Sequence, residues 1–155
     1  MKKTTSRWGD YDRSVLVLQG GGALGAYQAG AYEGLSQAGI DLHWIAGVSI
    51  GAINSALIAG NPADRRVERV REFWDRVSQF SMPALPAGFE MLRSMMNSLS
   101  TASAMAFGVP GFFSPRAMPP VLAPDGSMSA LSFYDTAPLK ATLEALVDFD
   151  LINSK

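Results

Sequence analysis

The most informative stretch of the sequence is Gly47-Val48-Ser49-Ile50-Gly51, which places a serine between two glycines where a strand-like run meets a helix-like run. The residues before it, 43–48, predict a buried strand, and the almost wholly apolar residues after it, 49–59, predict a helix. G-x-S-x-G at such a junction is the context of a nucleophile elbow, a sharp turn that keeps a serine exposed. Glycines at 47 and 51 keep side chains from colliding across that turn. We therefore expect Ser49 to be a nucleophile.

A second glycine motif, G-x-G-x-x-G, occupies Gly20, Gly22 and Gly25. It follows the apolar run Ser14 to Gln19, which is typical of a parallel strand buried on both faces, and a helix rich in small residues is predicted after it, ending at Gly39. Glycines in this position let successive N–H groups converge on an anion near a helix N-terminus. The motif alone also marks dinucleotide-binding folds.

The strand, helix, strand, helix order implies a right-handed crossover and a parallel pair of strands. Both motifs then fall at the carboxyl ends of neighbouring strands, so the glycine-rich loop and the Ser49 turn can contribute to one site. We expect an ester carbonyl attacked by Ser49 to develop an oxyanion. The backbone N–H groups of Gly21 and Gly22, with Ile50 assisting, are the expected donors that stabilise it.

Composition excludes several classes of function. Thirteen basic and 14 acidic residues give a net charge of −1, so no global field recruits nucleic acid or an anionic membrane. The chain contains no cysteine and a single histidine, His43, which argues against disulfides, thiolate or histidine-rich metal sites and a cysteine nucleophile. The longest uncharged stretch near the middle, Trp44 to Pro62, is interrupted by three glycines and falls short of the ~20 apolar residues that span a bilayer, so no transmembrane segment is predicted. We predict a cytoplasmic protein that uses no metal and no organic cofactor.

The length of 155 residues and the 48% hydrophobic content predict one domain. Residues 1–13 are polar and aperiodic, as in a flexible leader, and residues 14–155 form the domain. About 81–130 is predicted to be an insertion rather than sheet, since it holds seven of the nine prolines and seven of the eight methionines. Methionines there could fill a core, which is the commoner use, or form a lipid-facing surface that makes the protein peripheral at a membrane.

Three further helices are predicted. One begins with Asn61 as N-cap and Pro62 at the first helical position. A short one lies within the insertion, where apolar residues recur from Phe89 to Leu99. The last begins after Asp135 or Thr136 as its cap.

No base for Ser49 is evident from spacing. His43 lies six residues before it on the same strand, which at ~3.3 Å per residue separates them by roughly 20 Å. A Ser-His-Asp triad is therefore excluded within this chain.

The sequences GGGALGAYQAGAYEGL and AGVSIGAIN, both between Val15 and Asn61, resemble those of the patatin-like phospholipases, in the family's order. The resemblance implies a three-layer α/β sandwich with a mostly parallel central sheet, incomplete in this chain. It also implies lipid acyl hydrolysis, with Ser49 as nucleophile and the oxyanion loop shaped by four glycines: Gly20, Gly21, Gly22 and Gly25. The expected partner is a lipid or another fatty-acyl ester.

Members of this family use a Ser-Asp dyad whose aspartate lies in D-G-G or D-G-A, and this sequence contains neither. Its only Asp-Gly is Asp125-Gly126-Ser127, in a proline-rich segment with no strand before it, which favours a turn over a dyad acid. The resemblance therefore predicts that the catalytic aspartate lies beyond residue 155.

Three alternatives stay open on the sequence. Ser49 could be an ordinary helix N-cap, a position that serine favours in any fold. The chain could be a nucleotide-binding βαβ module. Such a module needs an acidic residue at the end of its second strand, whereas Asp41 lies before that strand. It could also be a catalytically inactive piece of the hydrolase, since a serine without a base reacts slowly with esters.

Overall fold

A computed structural model describes residues 11–78 and 90–154 of the chain. These residues form two compact units, each described by itself below. The first unit contains the described residues up to Arg71 together with those from Val147 onward, and the second contains the described residues from Glu72 to Leu146. Residues 1–10 of the predicted leader and 81–89 of the predicted insertion lie outside the described residues.

The first unit is built on two parallel strands, β1 (Val15–Leu18) and β2 (Trp44–Gly47). Their register pairs Val15 with Trp44 and Leu18 with Gly47. Helix α1 (Gly25–Gln37) connects them, and α2 (Ile50–Ala59) follows the second strand. The predicted strand, helix, strand, helix order with a parallel pair is confirmed, and the chain is a mixed α/β protein with a small parallel sheet.

One face of this sheet is covered and the other is open in the part of the chain that the structure describes. Helix α2 contacts both strands, and Leu18, Leu57 and Ile58 are buried in the core beside them. On the other face, the side chains of Val15, Val17 and Trp44 are 51%, 74% and 68% exposed. The prediction that β1 is buried on both faces is therefore wrong for Val15 and Val17, because among the described elements only α2 packs extensively on the two strands.

Helix α3 runs from Arg66 to Val77, so the prediction that it begins with Asn61 as N-cap is wrong. The Asn61 side chain donates from Nδ2 to the carbonyl oxygen of Leu57 at 2.8 Å. Asn61 therefore satisfies a main-chain carbonyl at the C-terminal end of α2. A turn at Pro62, closed by a 2.9 Å hydrogen bond from the N–H of Arg65, separates the two helices.

The second unit holds a longer helix than predicted, α4 (Glu90–Phe107), and the predicted last helix, α5 (Ala137–Leu146), which is confirmed. Between them, Ser114–Pro115 (β3) pairs antiparallel with Tyr134–Asp135 (β4). The insertion therefore contributes two residues to a sheet, contrary to the prediction. Ring contacts stabilise this unit, with Phe113 and Tyr134 at 4.9 Å and Phe73 and Phe112 at 6.4 Å between centroids.

A short helix, α6 (Phe149–Asn153), returns the chain to the first unit. The Asp148 carboxylate caps it by accepting a hydrogen bond from the N–H of Leu151 at 2.9 Å. The N–H of Asp148 donates to the carbonyl oxygen of Gly60 at 2.9 Å, which attaches α6 to the end of α2.

Candidate functional site

Ser49 lies between β2 and α2 with an unusual backbone conformation, φ 55° and ψ −124°. It is the only residue other than glycine with a positive φ in residues 11–78 and 90–154, and it is exposed. Such a conformation costs of order 1–3 kcal/mol and persists only where its surroundings impose it. An ordinary N-cap residue has extended backbone angles and accepts a hydrogen bond on its side chain. The Ser49 hydroxyl makes no such bond to α2.

The two glycines that flank Ser49 have no room for a side chain. A Cβ on Gly47 would overlap the carbonyl oxygen of Gly51 and lie 2.5 Å from the Ser55 hydroxyl oxygen. A Cβ on Gly51 would overlap the carbonyl oxygen of Leu18 and lie 2.8 Å from that of Gln19. The turn is therefore packed backbone against backbone, with the end of β1 lying against the start of α2.

The glycine-rich loop, residues 20–24, approaches Ser49 directly. A Cβ on Gly20 would lie 3.3 Å from the Ser49 Cβ. Gly21 and Gly22 follow with φ values of 148° and 54°, conformations that side chains disfavour. Residues Gly22–Leu24 then form a 3₁₀ turn leading into α1. The first N–H groups of such a turn have no intrahelical acceptor, which makes this end of the loop suited to an anion.

The parallel register explains why loop and serine meet. Leu18 ends β1 and pairs with Gly47, which ends β2. The N–H of Val48 continues the pairing by donating to the carbonyl oxygen of Leu18 at 3.0 Å. The residues that follow each strand therefore emerge side by side at the carboxyl edge of the sheet, as expected for parallel strands.

A network of side-chain amides, not found from the sequence, runs from the buried Asn54 to the partly exposed Gln28 behind the glycine-rich loop. Asn54 of α2 donates from Nδ2 to the carbonyl oxygen of Gly25 at 3.0 Å and to Oε1 of Gln28 at 3.2 Å. Gln28 donates from Nε2 to the carbonyl oxygen of Gln19 at 2.7 Å. Gly25, which the sequence placed in the loop, is thereby connected to the helix that follows Ser49. The signal for this network was a single asparagine in the almost wholly apolar IGAINSALIA helix.

Two titratable residues considered from the sequence lie elsewhere. His43 precedes β2 at the opposite, amino edge of the sheet, where its Nδ1 accepts a hydrogen bond from the N–H of Ser14 at 3.1 Å. Asp125 belongs to the second unit and is exposed in a turn closed by a 3.1 Å hydrogen bond from the N–H of Ser127 to the carbonyl oxygen of Pro124. Asp125 thus has the turn geometry that its sequence indicates.

The amino edge also contains a cavity of about 420 Å³. Its lining includes His43, Trp44, Ile58 and Arg66. Near it, burial raises the pKa of the Tyr32 hydroxyl, and the Arg66 guanidinium opposes this shift through its charge and a hydrogen bond. Across residues 11–78 and 90–154, no group of three or more His, Asp or Glu side chains is arranged to hold a metal ion. The same residues contain no helix that is both long and apolar enough to cross a membrane.

The sequence profile of the patatin-like phospholipases matches residues 16–155, well over half of the chain. This chain belongs to the patatin-like phospholipase family. The match begins within β1 and includes the glycine-rich loop, the Ser49 turn and both described units. Membership therefore covers every residue that the geometry brings together at the carboxyl edge of the sheet.

Individual relatives of this patatin-like chain match over shorter stretches. Lysophospholipase nte1 of Aspergillus terreus is 56% identical over 48 residues, which cover 30% of this chain and 3% of that protein. Neuropathy target esterase sws of Drosophila sechellia is 33% identical over 84 residues, or 52% of this chain and 6% of that protein. The same-named protein of Drosophila persimilis is 44% identical over 52 residues, which cover 34% of this chain and 4% of that protein. The matched stretches are small parts of these relatives. No solved structure matches this chain.

Proposed function

We propose that this chain provides the nucleophile and the oxyanion loop of a lipid acyl hydrolase. The observation that carries the proposal is the exposed Ser49, held at a positive φ beside the glycine-rich loop. The loop lies so close that a Cβ added at Gly20 would be 3.3 Å from the Ser49 Cβ. A strained and exposed serine beside a loop of main-chain amides has the geometry that acyl transfer requires. Family membership favours this function over a nucleotide-binding module.

The proposed reaction has two halves. The Ser49 Oγ attacks the carbonyl carbon of a fatty-acyl ester, its proton passes to the base, and the carbonyl oxygen becomes an oxyanion facing the N–H groups of Gly21, Gly22 and Ile50. Collapse of this intermediate breaks the bond to the alcohol, which leaves with the proton. Water then attacks the acyl-serine, so that the fatty acid departs and the Ser49 hydroxyl is restored.

For the base we propose an aspartate, completing a Ser-Asp dyad. Residues 1–155 contain no D-G-G or D-G-A, and Asp125 lies in a turn, so we expect the dyad aspartate outside these residues. We also propose that the complete domain is a three-layer sandwich. The open sheet face at Val15, Val17 and Trp44 supports this, because buried strands of parallel sheets are covered on both sides.

The proposed substrates are lipid esters, since the relatives are named as a lysophospholipase and as esterases. Such substrates reside in membranes or other lipid surfaces, so we propose that the protein works in the cytoplasm and contacts a membrane peripherally. The absence of cysteine suits a reducing compartment.

A fluorophosphonate probe tests the nucleophile, because it reacts covalently with an activated serine. We expect labelling of the natural full-length protein, loss of labelling in Ser49→Ala, and unchanged labelling in the matched control Ser36→Ala, which alters an exposed serine near the end of α1. Residues 1–155 expressed alone should label much more weakly, because the dyad aspartate is missing. Equal labelling of Ser49→Ala and the wild type would end the proposal.

A further inference from the structure

The amide network holds the main chain at both ends of the glycine-rich loop through two side chains, those of Gln28 and Asn54. The carbonyl oxygen of Gln19 precedes the loop, and that of Gly25 follows it. Both accept hydrogen bonds within the network, the first from Gln28 and the second from Asn54. Asn54 also donates to Gln28, so the loop is fixed at both ends to α2, the helix that begins immediately after Ser49.

The direction of these hydrogen bonds is set by chemistry. Main-chain carbonyl oxygens can only accept, so the side-chain nitrogens must face Gln19 and Gly25. The Gln28 nitrogen points at Gln19, which leaves its oxygen for the second hydrogen of the Asn54 amide. An aspartate at position 54 would have nearly the same shape, but it would place a carboxylate oxygen against the carbonyl oxygen of Gly25.

Packing alone gives no reason for an amide at this position. Asn54 is fully buried, with buried Leu57 and Ile58 on the same helix. A buried amide costs about 1–3 kcal/mol when its hydrogen bonds are lost, whereas an apolar side chain of similar volume avoids that cost. The hydrogen bonds of the amide fix the distance between α2 and the glycine-rich loop, which an apolar side chain could not do.

We propose that Asn54 is a positioning residue for the hydrolysis, acting with Gln28 to hold the glycine-rich loop in register with Ser49. The inference rests on the proposed function and adds to it the residues that set the oxyanion geometry. The network holds the loop where the oxyanion forms, so its loss lowers the rate of the chemical step more than it weakens substrate binding. A displacement of about 1 Å at a reacting centre can lower the rate about 100-fold.

The test compares the two buried asparagines of this region in the natural full-length protein. Asn54 and Asn61 each donate to a main-chain carbonyl and are 0% and 7% exposed, but Asn61 bonds at the far end of α2. The variants are Asn54→Asp and Asn54→Leu, with Asn61→Asp and Asn61→Leu as matched controls. The measurements are kcat and KM for a p-nitrophenyl ester, the second-order rate of fluorophosphonate labelling, and the melting temperature.

Both Asn54 variants should lower kcat and the labelling rate by about 10- to 100-fold, with KM changed much less. The Asn61 variants should lose comparable thermal stability while their labelling rate stays within about twofold of the wild type. If the Asn54 and Asn61 variants lose activity only in proportion to their loss of stability, the positioning role is wrong.

Gln28→Met provides a second route should the Asn54 variants fail to fold, because Gln28 is only partly buried. The substitution removes the hydrogen bond to the carbonyl oxygen of Gln19, and we expect the labelling rate to fall about three- to tenfold. The control is Gln37→Met, at the exposed end of the same helix. A wild-type rate in Gln28→Met overturns the role of the network. This result would leave the hydrolase proposal intact, because that proposal fails only if the Ser49→Ala variant is still labelled.

Discussion

The two edges of the small parallel sheet differ in what they offer to chemistry. The amino edge has the single histidine, the raised pKa of Tyr32 and a cavity of about 420 Å³. The carboxyl edge has Ser49, which has a strained backbone conformation and lies among Gly20, Gly47 and Gly51. The His43 imidazole is already engaged with the main chain of Ser14, whereas the Ser49 hydroxyl caps nothing. In this sheet, backbone conformation therefore marks the candidate site better than a cavity or a titratable side chain does.

The largest effect is expected at the glycines that flank Ser49, where a side chain has no room. In Gly51→Ala the new Cβ would overlap the carbonyl oxygen of Leu18 and force β1 and α2 apart. We expect a loss of about 3 kcal/mol in the free energy of unfolding, and loss of fluorophosphonate labelling. The control is Gly30→Ala in α1, where a Cβ meets nothing within 4 Å and should stabilise by about 0.5–1 kcal/mol. Denaturant unfolding measures both, and a Gly51→Ala variant as stable as the wild type would contradict the packing.

An intermediate effect should reveal the strain at Ser49. Glycine adopts a positive φ without a steric penalty, whereas alanine at the same φ still incurs that penalty. We expect Ser49→Gly to exceed Ser49→Ala by about 1 kcal/mol in the free energy of unfolding, with both variants inactive. The matched pair for this comparison is Ser36→Gly and Ser36→Ala within α1, where the order should reverse because glycine weakens a helix. Equal stabilities at position 49 would show that the turn is unstrained.

The smallest effect is expected at the amino edge. His43→Gln retains a side-chain acceptor for the N–H of Ser14 and removes the only imidazole of the chain. We expect the labelling rate at Ser49 to remain within about twofold of the wild type across pH 5–8, since a histidine roughly 20 Å away cannot take its proton. A fall of 100-fold with unchanged melting temperature would bring His43 into the mechanism and reverse the comparison between the edges.

Local sequence predicted much of the first unit because its signals act over a few residues. Short apolar runs predicted β1 and β2, and Gly39, with φ 70°, ends α1 as expected of a glycine in a left-handed conformation. The prediction failed at Asn61, where the side chain bonds backward to Leu57. Sequence cannot tell which helix an asparagine between two helices will cap, because both ends offer unsatisfied main-chain groups.

Residue types at fixed spacing were enough to predict the candidate nucleophile, the glycine loop and the family. Three features could be found only in the folded chain. Gly20 lies against Ser49, Asn54 and Gln28 connect the loop to α2, and Val15 and Val17 face outward. The physical reason is that these contacts join residues about 26 to 29 positions apart in the chain, or depend on which elements cover a face. Strand register and helix packing set such contacts, and no local pattern encodes them.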